Sequence, residues 1–309
     1  MRFFVAITDE NWFGFLRDLR PEEVNFWRPG SAGFSAVPTG APFLFKLHSR
    51  RGRPGPIVGG GFFVRYSRLP VSLAWDAFGE RNGAPDFPTF REQLRRHWTA
   101  DQRQQPDPVI GCVILVDPFF FADDDFVPAP DDWVPNIVQG KSYGSDEPTG
   151  RRLWEGVQKR LASGDRVREE GLGPPVRTGA DYLSRARLGQ GAFRVVTLEN
   201  YRRRCSITAE TTLPVLQAAH IKPIAEGGSH SPRDGLLLRA DLHILFDQGL
   251  LGVTPDYRVQ VSNRIRDDYL NGRVYYEHHN RPLRSLPQDA ALRPDPLALE
   301  WHMDEKFVR

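Results

Sequence analysis

Cysteine is scarce in this chain, with two in 309 residues. That excludes a disulfide framework and the small secreted scaffolds that depend on one. Long apolar runs are missing too. No stretch of about 18 or more apolar residues occurs, so nothing in the sequence reads as a membrane-spanning helix. The opening MRFFVAITDENWF lacks the basic, apolar and small-residue pattern of a secretory signal. A reducing, cytoplasmic location with no membrane partner is the expectation. Excess charge of one sign is also lacking. The 41 Lys and Arg nearly balance 39 Asp and Glu, for a net of +2, so bulk electrostatics do not mark the chain for a polyanion. Neither internal repeats nor low-complexity segments stand out.

What remains is ordinary globular material. The composition is 40% hydrophobic and 26% charged, enough for two domains. Charge is uneven locally. Asp123, Asp124, Asp125, Asp131 and Asp132 gather in the first half, while Arg185, Arg187, Arg194, Arg202, Arg203 and Arg204 gather in the second and permit a basic face there.

Residues 1–140 predict an α+β domain. FFVAIT (3–8), FLFKLH (43–48), IVGGGFFVRYS (57–67) and VIGCVILVDPFFF (109–121) read as strands, with Cys112 in their core. Helices are expected over NWFGFLRDL after the N-cap candidate Asp9, over SLAWDAFGERNG to an Asn-Gly stop, and over FPTFREQLRRHW. Mixed elements of this kind suggest a curved sheet or partial barrel. Residues 141–188 read as a helical linker. An amphipathic helix with Leu153, Trp154, Val157 and Leu161 on one face precedes the helix-breaking Pro174-Pro175. Residues 189–309 read as a second domain. In it GAFRVVTLENYRRRC is a strand running into a helix, GLLGVTPDYRVQVSN is a hairpin, and the tail docks through Leu299, Trp301 and Phe307.

The chemistry concentrates between Cys205 and Leu250. VLQAAHIKP reads as a strand that stops at Pro223, which puts His220 at a strand end where it can reach a ligand as general base. AEGGSHSPRDG is a polar loop whose Asp234 can orient that imidazole through its carbonyl or carboxylate. ADLHILFDQGL reads as a short helix from the N-cap candidate Asp241 to Gly249. His243 and Asp247 lie one helical turn apart on one face of it, a half-site for Mg²⁺ or Mn²⁺, with Ni²⁺ or Co²⁺ as later-metal alternatives. Lys222 can contact a phosphate, and His230, His278 and His279 read as surface residues.

Four blocks carry a resemblance. They are Cys205-Ser206-Ile207-Thr208, Ala218-Ala219-His220-Ile221-Lys222-Pro223, Asp234-Gly235-Leu236-Leu237-Leu238 and His243-Ile244-Leu245-Phe246-Asp247-Gln248-Gly249, in that order. Together they resemble the HNH, or ββα-metal, endonuclease family, and the tail Leu299-Glu300-Trp301-His302 resembles that family's end. The resemblance spans about the last 115 residues. It implies a ββα-metal nuclease domain with His220 as base and His243 as metal ligand. Two positions depart from the family pattern. Asp234 stands where most members have Asn, and its charge is expected to raise the pKa of His220. Ala219 stands where many members have a metal ligand, which leaves more of the metal to Asp247. The cysteine pairs of zinc-ribbon relatives are missing, so no structural zinc is expected.

A nuclease domain of this kind makes few base-specific contacts, so the first half is expected to target it. Its aromatics and amides suit a pocket for a flipped base, with Trp12, Trp27 and Trp75 for stacking and Asn25 and Asn82 as edge readers. The strand order and Gly59-Gly60-Gly61 weakly resemble PUA-like readers such as the SRA and EVE domains. The expected protein is a modification-dependent restriction endonuclease, acting as a homodimer on double-stranded DNA that carries a modified base, a modified cytosine first. The rivals are an HNH nuclease directed to lesions or to a sequence, and a DNA-binding protein with a decayed HNH site.

Overall fold

Strand-forming apolar runs recur through the first 120 residues, and the five strands they form join a sixth, Gly140–Gly144, in one sheet. The computed structural model describes residues 1–30, 32–49, 54–134, 136–164, 180–183 and 188–309. The chain divides into two compact units, Met1–Tyr182 and Leu183–Arg309.

In the first unit β1 (Arg2–Thr8) leads into α1 (Glu10–Leu19), then β2 (Glu23–Arg28), β3 (Pro42–Leu47) and β4 (Ile57–Pro70). The helices α2 (Val71–Phe78), α3 (Phe87–Arg95) and α4 (Ala100–Gln104) follow, then β5 (Val109–Phe120), β6 (Gly140–Gly144) and α5 (Pro148–Gly164). The sheet order is β2-β5-β4-β3-β1-β6. Only β1 and β3 pair in parallel; the other neighbours are antiparallel. Among the described residues β2 and β6 are both edges, so the sheet is open and forms no closed barrel.

Alternation sends successive side chains to opposite faces. On one face Phe43 and Phe45 pack with Trp12, Phe13 and Leu16 of α1. On the other Leu44 joins Phe3, Val5 and the α5 residues Leu153, Trp154 and Val157. The stretch expected as a linker therefore contributes an edge strand and a covering helix to this unit. Its amphipathic face had a sheet to bury, and burying it is worth about 25 cal/mol per Å² of apolar area. Pro174-Pro175, Arg185 and Arg187 lie outside the described residues.

The triple glycine serves backbone packing. A Cβ on Gly59 would stand 2.3 Å from the Phe119 carbonyl oxygen, and one on Gly60 2.6 Å from the Phe119 ring. The absent side chains let β5 close on a strand that is bulged between Gly60 and Phe62.

After the short turn α6 (Ala180–Leu183), the second unit begins with α7 (Gln190–Asn200). It continues through β7 (Leu216–His220), β8 (Gly235–Arg239), α8 (Ala240–Asp247), β9 (Leu251–Val253) and β10 (Val259–Val261) to α9 (Arg264–Tyr269), α10 (Arg273–Tyr276) and α11 (Pro296–Glu305). The run GAFRVV, expected to start as a strand, is wholly helical. Its Phe193, Val195, Val196 and Leu198 are buried around most of the helix, and such packing overrides a β-branched preference. The β9–β10 hairpin forms as expected around Pro255 and Asp256. In the tail Leu299 is fully buried and Asp295 caps α11.

The Asn82-Gly83 stop after α2 is a tight fit. Gly83 has φ +83°, and a Cβ there would stand 2.1 Å from Cδ1 of Trp12. Gly83→Ala should therefore lower stability by more than about 1 kcal/mol. Urea unfolding checks this; an unchanged midpoint would mean that Trp12 can move aside.

Candidate active site

The strands β7 and β8 pair antiparallel, with His220 opposite Gly235, and α8 starts directly after β8. This ββα arrangement puts the strand-end histidine and one face of a helix beside the same cleft. The cleft has a volume of about 610 Å³ and is lined by His220, Gln217, Arg194, His243, Asp247 and Lys306 among others. Ala219 is fully buried, on the opposite face of β7 from His220.

The His220 ring stacks on Phe193 of α7, with centroids 4.0 Å apart and planes 13° apart. Its Nε2 lies 3.0 Å from Nδ1 of His230. Burial first, then the neighbouring His230 and His243, pull the His220 pKa down to about 4. That sign is opposite to the rise expected from Asp234. The Asp234 carboxylate is engaged elsewhere, accepting from the backbone N–H and the hydroxyl of Ser229, both at 2.8 Å. The Asp234 carbonyl accepts from the Ile221 N–H at 2.8 Å. The residue therefore fixes its loop and β7 and does not hold the His220 ring directly.

On α8, Nδ1 of His243 lies 2.8 Å from Oε1 of Gln217, and its Nε2 lies 3.3 Å from Oδ2 of Asp247. An amide oxygen only accepts, so the His243 proton belongs on Nδ1 and Nε2 carries a lone pair. That lone pair and a carboxylate face each other, an arrangement that a shared cation would reconcile. Packing around Asp247 holds its carboxyl above the usual range, with His243 acting the other way. Among the described residues no group of three or more His, Cys, Asp or Glu converges to hold a metal ion. Two donors still fit Mg²⁺, which keeps waters and takes substrate phosphate oxygens to fill its shell. The helix begins at Ala240, with Asp241 inside its first turn and paired to Arg239 at 2.6 Å; Asp241 is not its cap. Lys222 does not line the cleft. Its Nζ sits 4.9 Å from the centroid of the Trp301 ring.

Comparison with known proteins accords with this geometry. The family model described as HNH endonuclease matches residues 205–254. That segment is an HNH endonuclease segment. No curated protein matches the chain. One similar solved structure is a modification dependent TagI restriction endonuclease, at 15% identity, covering 91% of this chain and 74% of that one, with a TM-score of 0.28. A TM-score that low carries no argument about fold or function.

Three participants in the HNH site are not evident from residue type. His230 was expected at the surface, but it meets His220. Gln217 sets the His243 tautomer, and Phe193 is the platform under His220. The one signal for His230 is its place in the Gly-Ser loop just before Asp234.

The first unit has a separate cavity of about 270 Å³, walled by Phe4, Phe26, Phe34, Phe43, Trp12 and Trp27. Arg28 and Gln139 also line it and are hydrogen-bonded to each other. Only two of the five expected pocket residues are in its wall. Asn25 and Asn82 are 0% exposed and face each other through an Nδ2–Oδ1 hydrogen bond of 2.8 Å. The Asn82 carbonyl accepts the indole N–H of Trp12 at 3.0 Å and of Trp27 at 2.9 Å, so it aims the two walls and reads no ligand edge. Trp75 packs against Phe90 and Phe87, outside the cavity.

Only neutral imidazole accepts a proton from water. With the His220 pKa lowered to about 4, cleavage should persist as pH falls past the ordinary histidine value of 6.5 and fail only towards 4. Asp234→Asn should leave that acid limb in place, because the carboxylate serves Ser229. Rate–pH profiles of both proteins check this; a shift to lower pH in the Asn variant would put the carboxylate's field back at His220.

Proposed function

We propose that the protein is a modification-dependent restriction endonuclease that cuts double-stranded DNA. The HNH segment hydrolyses the phosphodiester, and the first unit reads a modified base, a modified cytosine being the first to test. The observation that carries the nuclease part is a half-buried His220, its pKa pulled down to about 4, lining one cleft with the His243–Asp247 pair. His220 takes the proton of the attacking water, and Arg194, at the cleft wall, is placed to attract phosphate. His243 Nε2 and Asp247 would hold the divalent cation, Mg²⁺ or Mn²⁺, which supplies Lewis-acid stabilisation of charge on the phosphate. Lys222 packs over Trp301 outside the cleft lining, so no phosphate contact is assigned to it.

The reader part is supported by the cavity in the first unit. Aromatic walls offer stacking faces, and Arg28 and Gln139 offer the hydrogen-bonding edge once assigned to Asn25 and Asn82. A homodimer places one HNH site at each strand.

His220→Ala should lose about 10²–10⁴-fold in cleavage rate with DNA binding retained. EDTA should stop cleavage while leaving the melting temperature unchanged, since the pair sits on an already formed helix. Supercoiled-plasmid nicking with Mg²⁺ or Mn²⁺ measures both. Full activity in EDTA would remove the cation, and near-normal nicking by the variant would remove His220.

Residues 1–182 should bind modified duplexes more tightly than plain ones. Trp27→Ala should erase about 1–3 kcal/mol of that preference, the worth of one stacked base. Titrations with methylated, hydroxymethylated, glucosylated and plain duplexes test it. Equal affinity for all four would favour a nuclease directed to lesions or to a sequence.

A further inference from the structure

Behind His220 stands a further histidine that does not itself line the cleft. His230 lies in the loop between β7 and β8, ten residues after His220. Its Nδ1 is 3.0 Å from His220 Nε2, and the ring centroids are 5.0 Å apart. Phe193 is common to both rings, 4.0 Å from His220 and 5.7 Å from His230. The loop holding His230 is tied down on either side. Asp234 accepts twice from Ser229, and the Ser231 N–H donates to the Ser229 hydroxyl at 3.2 Å. The contact is thus set by a buttressed loop and a shared aromatic platform.

Two imidazole nitrogens 3.0 Å apart share one proton. It can sit on either nitrogen, with opposite consequences. With the proton on His220 Nε2, His220 Nδ1 is bare and can accept a proton from water. With the proton on His230 Nδ1, His220 Nε2 is the acceptor of that bond. Neutral His220 must then carry its own proton on Nδ1 and has no nitrogen left for water.

We propose that His230 is a positioning residue for the hydrolytic step: its bare Nδ1 accepts the Nε2 proton of His220 and so holds His220 in the tautomer whose Nδ1 is the base. The inference rests on the reading of His220 as general base. During hydrolysis one water O–H bond breaks and its proton goes to His220 Nδ1. The water oxygen bonds to phosphorus, and the bond from phosphorus to the leaving oxygen breaks, that oxygen taking a proton from solvent. His220 becomes an imidazolium whose Nε2–H still points at the His230 lone pair, so the developing charge meets an acceptor already in place. Phe193 on α7 touches both rings, and the charged or titratable groups that line the cleft with His220 are Arg194 on α7, His243 and Asp247 on α8, Glu226 in the loop, and His302 and Lys306 at the tail. The Asp234 carboxylate is engaged by Ser229 and so fixes the loop that carries His230.

The test uses the full chain labelled with ¹⁵N in its histidine rings. In the metal-free protein at mildly alkaline pH, His220 should show a protonated Nε2 and an unprotonated Nδ1. A proton found on Nδ1 overturns the proposal, and this measurement on the unsubstituted protein decides even where a variant fails to fold. Single-turnover cleavage supplies the second readout. His230→Phe should slow the chemical step by about 10–100-fold, the usual loss when a ring's orienting partner is removed, with DNA affinity unchanged. His230→Asn, whose amide oxygen can accept the same proton, should restore most of the rate. Cleavage by the Phe variant at the unsubstituted rate sinks the role of His230. His220→Ala run alongside separates the two failures: if it still cuts, the base assignment itself has failed, and if it is dead while His230→Phe is normal, only the positioning role has failed.

Discussion

The hydrolytic site hangs on a missing side chain. Gly235 is directly opposite His220 in the β7–β8 ladder, and a Cβ there would lie 2.9 Å from both the Phe193 ring and the Thr197 hydroxyl. Because only hydrogen occupies that position, α7 lies close against β8 and Phe193 slides under the imidazole. Close packing of this kind transmits small changes, since protein interiors have no slack to absorb an added methyl group. The stack also removes water from one face of His220, and burial is the largest cause of its lowered pKa. One glycine therefore links the strand pairing, the helix position and the lowered pKa of His220.

The HNH half was legible where local rules decide. A strand stopped by Pro223, a helix stopped by Gly249 and an i, i+4 pair are features of a few neighbouring residues, and each is present. Gly249 takes φ +70° and passes the tail so closely that a Cβ would stand 2.0 Å from the Lys306 carbonyl oxygen. Contacts set by the fold were hidden. His230, Gln217 and Phe193 reach the site from a loop, the middle of a strand and a distant helix, and nothing in their spacing from His220 or His243 announces it. The sign of the His220 shift was misread for the same reason. Asp234 is a neighbour in the motif, but its carboxylate turns to Ser229, and other groups face the ring.

The first half was legible as strands and helices and opaque as a site. Sequence marks a residue as aromatic or amide but not which side of a sheet will close over it. Asn25 and Asn82 have the chemistry of edge readers, yet full burial turned that chemistry inward. Each amide–indole bond is worth about 0.5–1.5 kcal/mol net, and leaving a buried carbonyl unpaired would cost more. Asn82 therefore spends its hydrogen-bonding capacity on Asn25, Trp12, Trp27 and the end of α2. The cavity inherits the result as two indoles held at fixed angles, and its polar edge comes from Arg28 and Gln139 instead.

The two histidines of the motif show how one side chain takes two jobs. In His243 the Gln217 oxygen, a pure acceptor, draws the proton to Nδ1 and leaves Nε2, the nitrogen of the proposed cation site, with its lone pair. In His220 the partner is another imidazole, which can donate or accept, so the tautomer depends on that partner's own proton. In the proposed roles the ligand histidine is thus held by an amide oxygen that can only accept, whereas the base is paired with a ring that can donate or accept. Fixing a ligand costs nothing in catalysis, because its lone pair must stay on one nitrogen throughout. A base must gain and lose a proton in every turnover. In the proposed pairing the His230 ring keeps an acceptor behind His220 Nε2 in both charge states of His220.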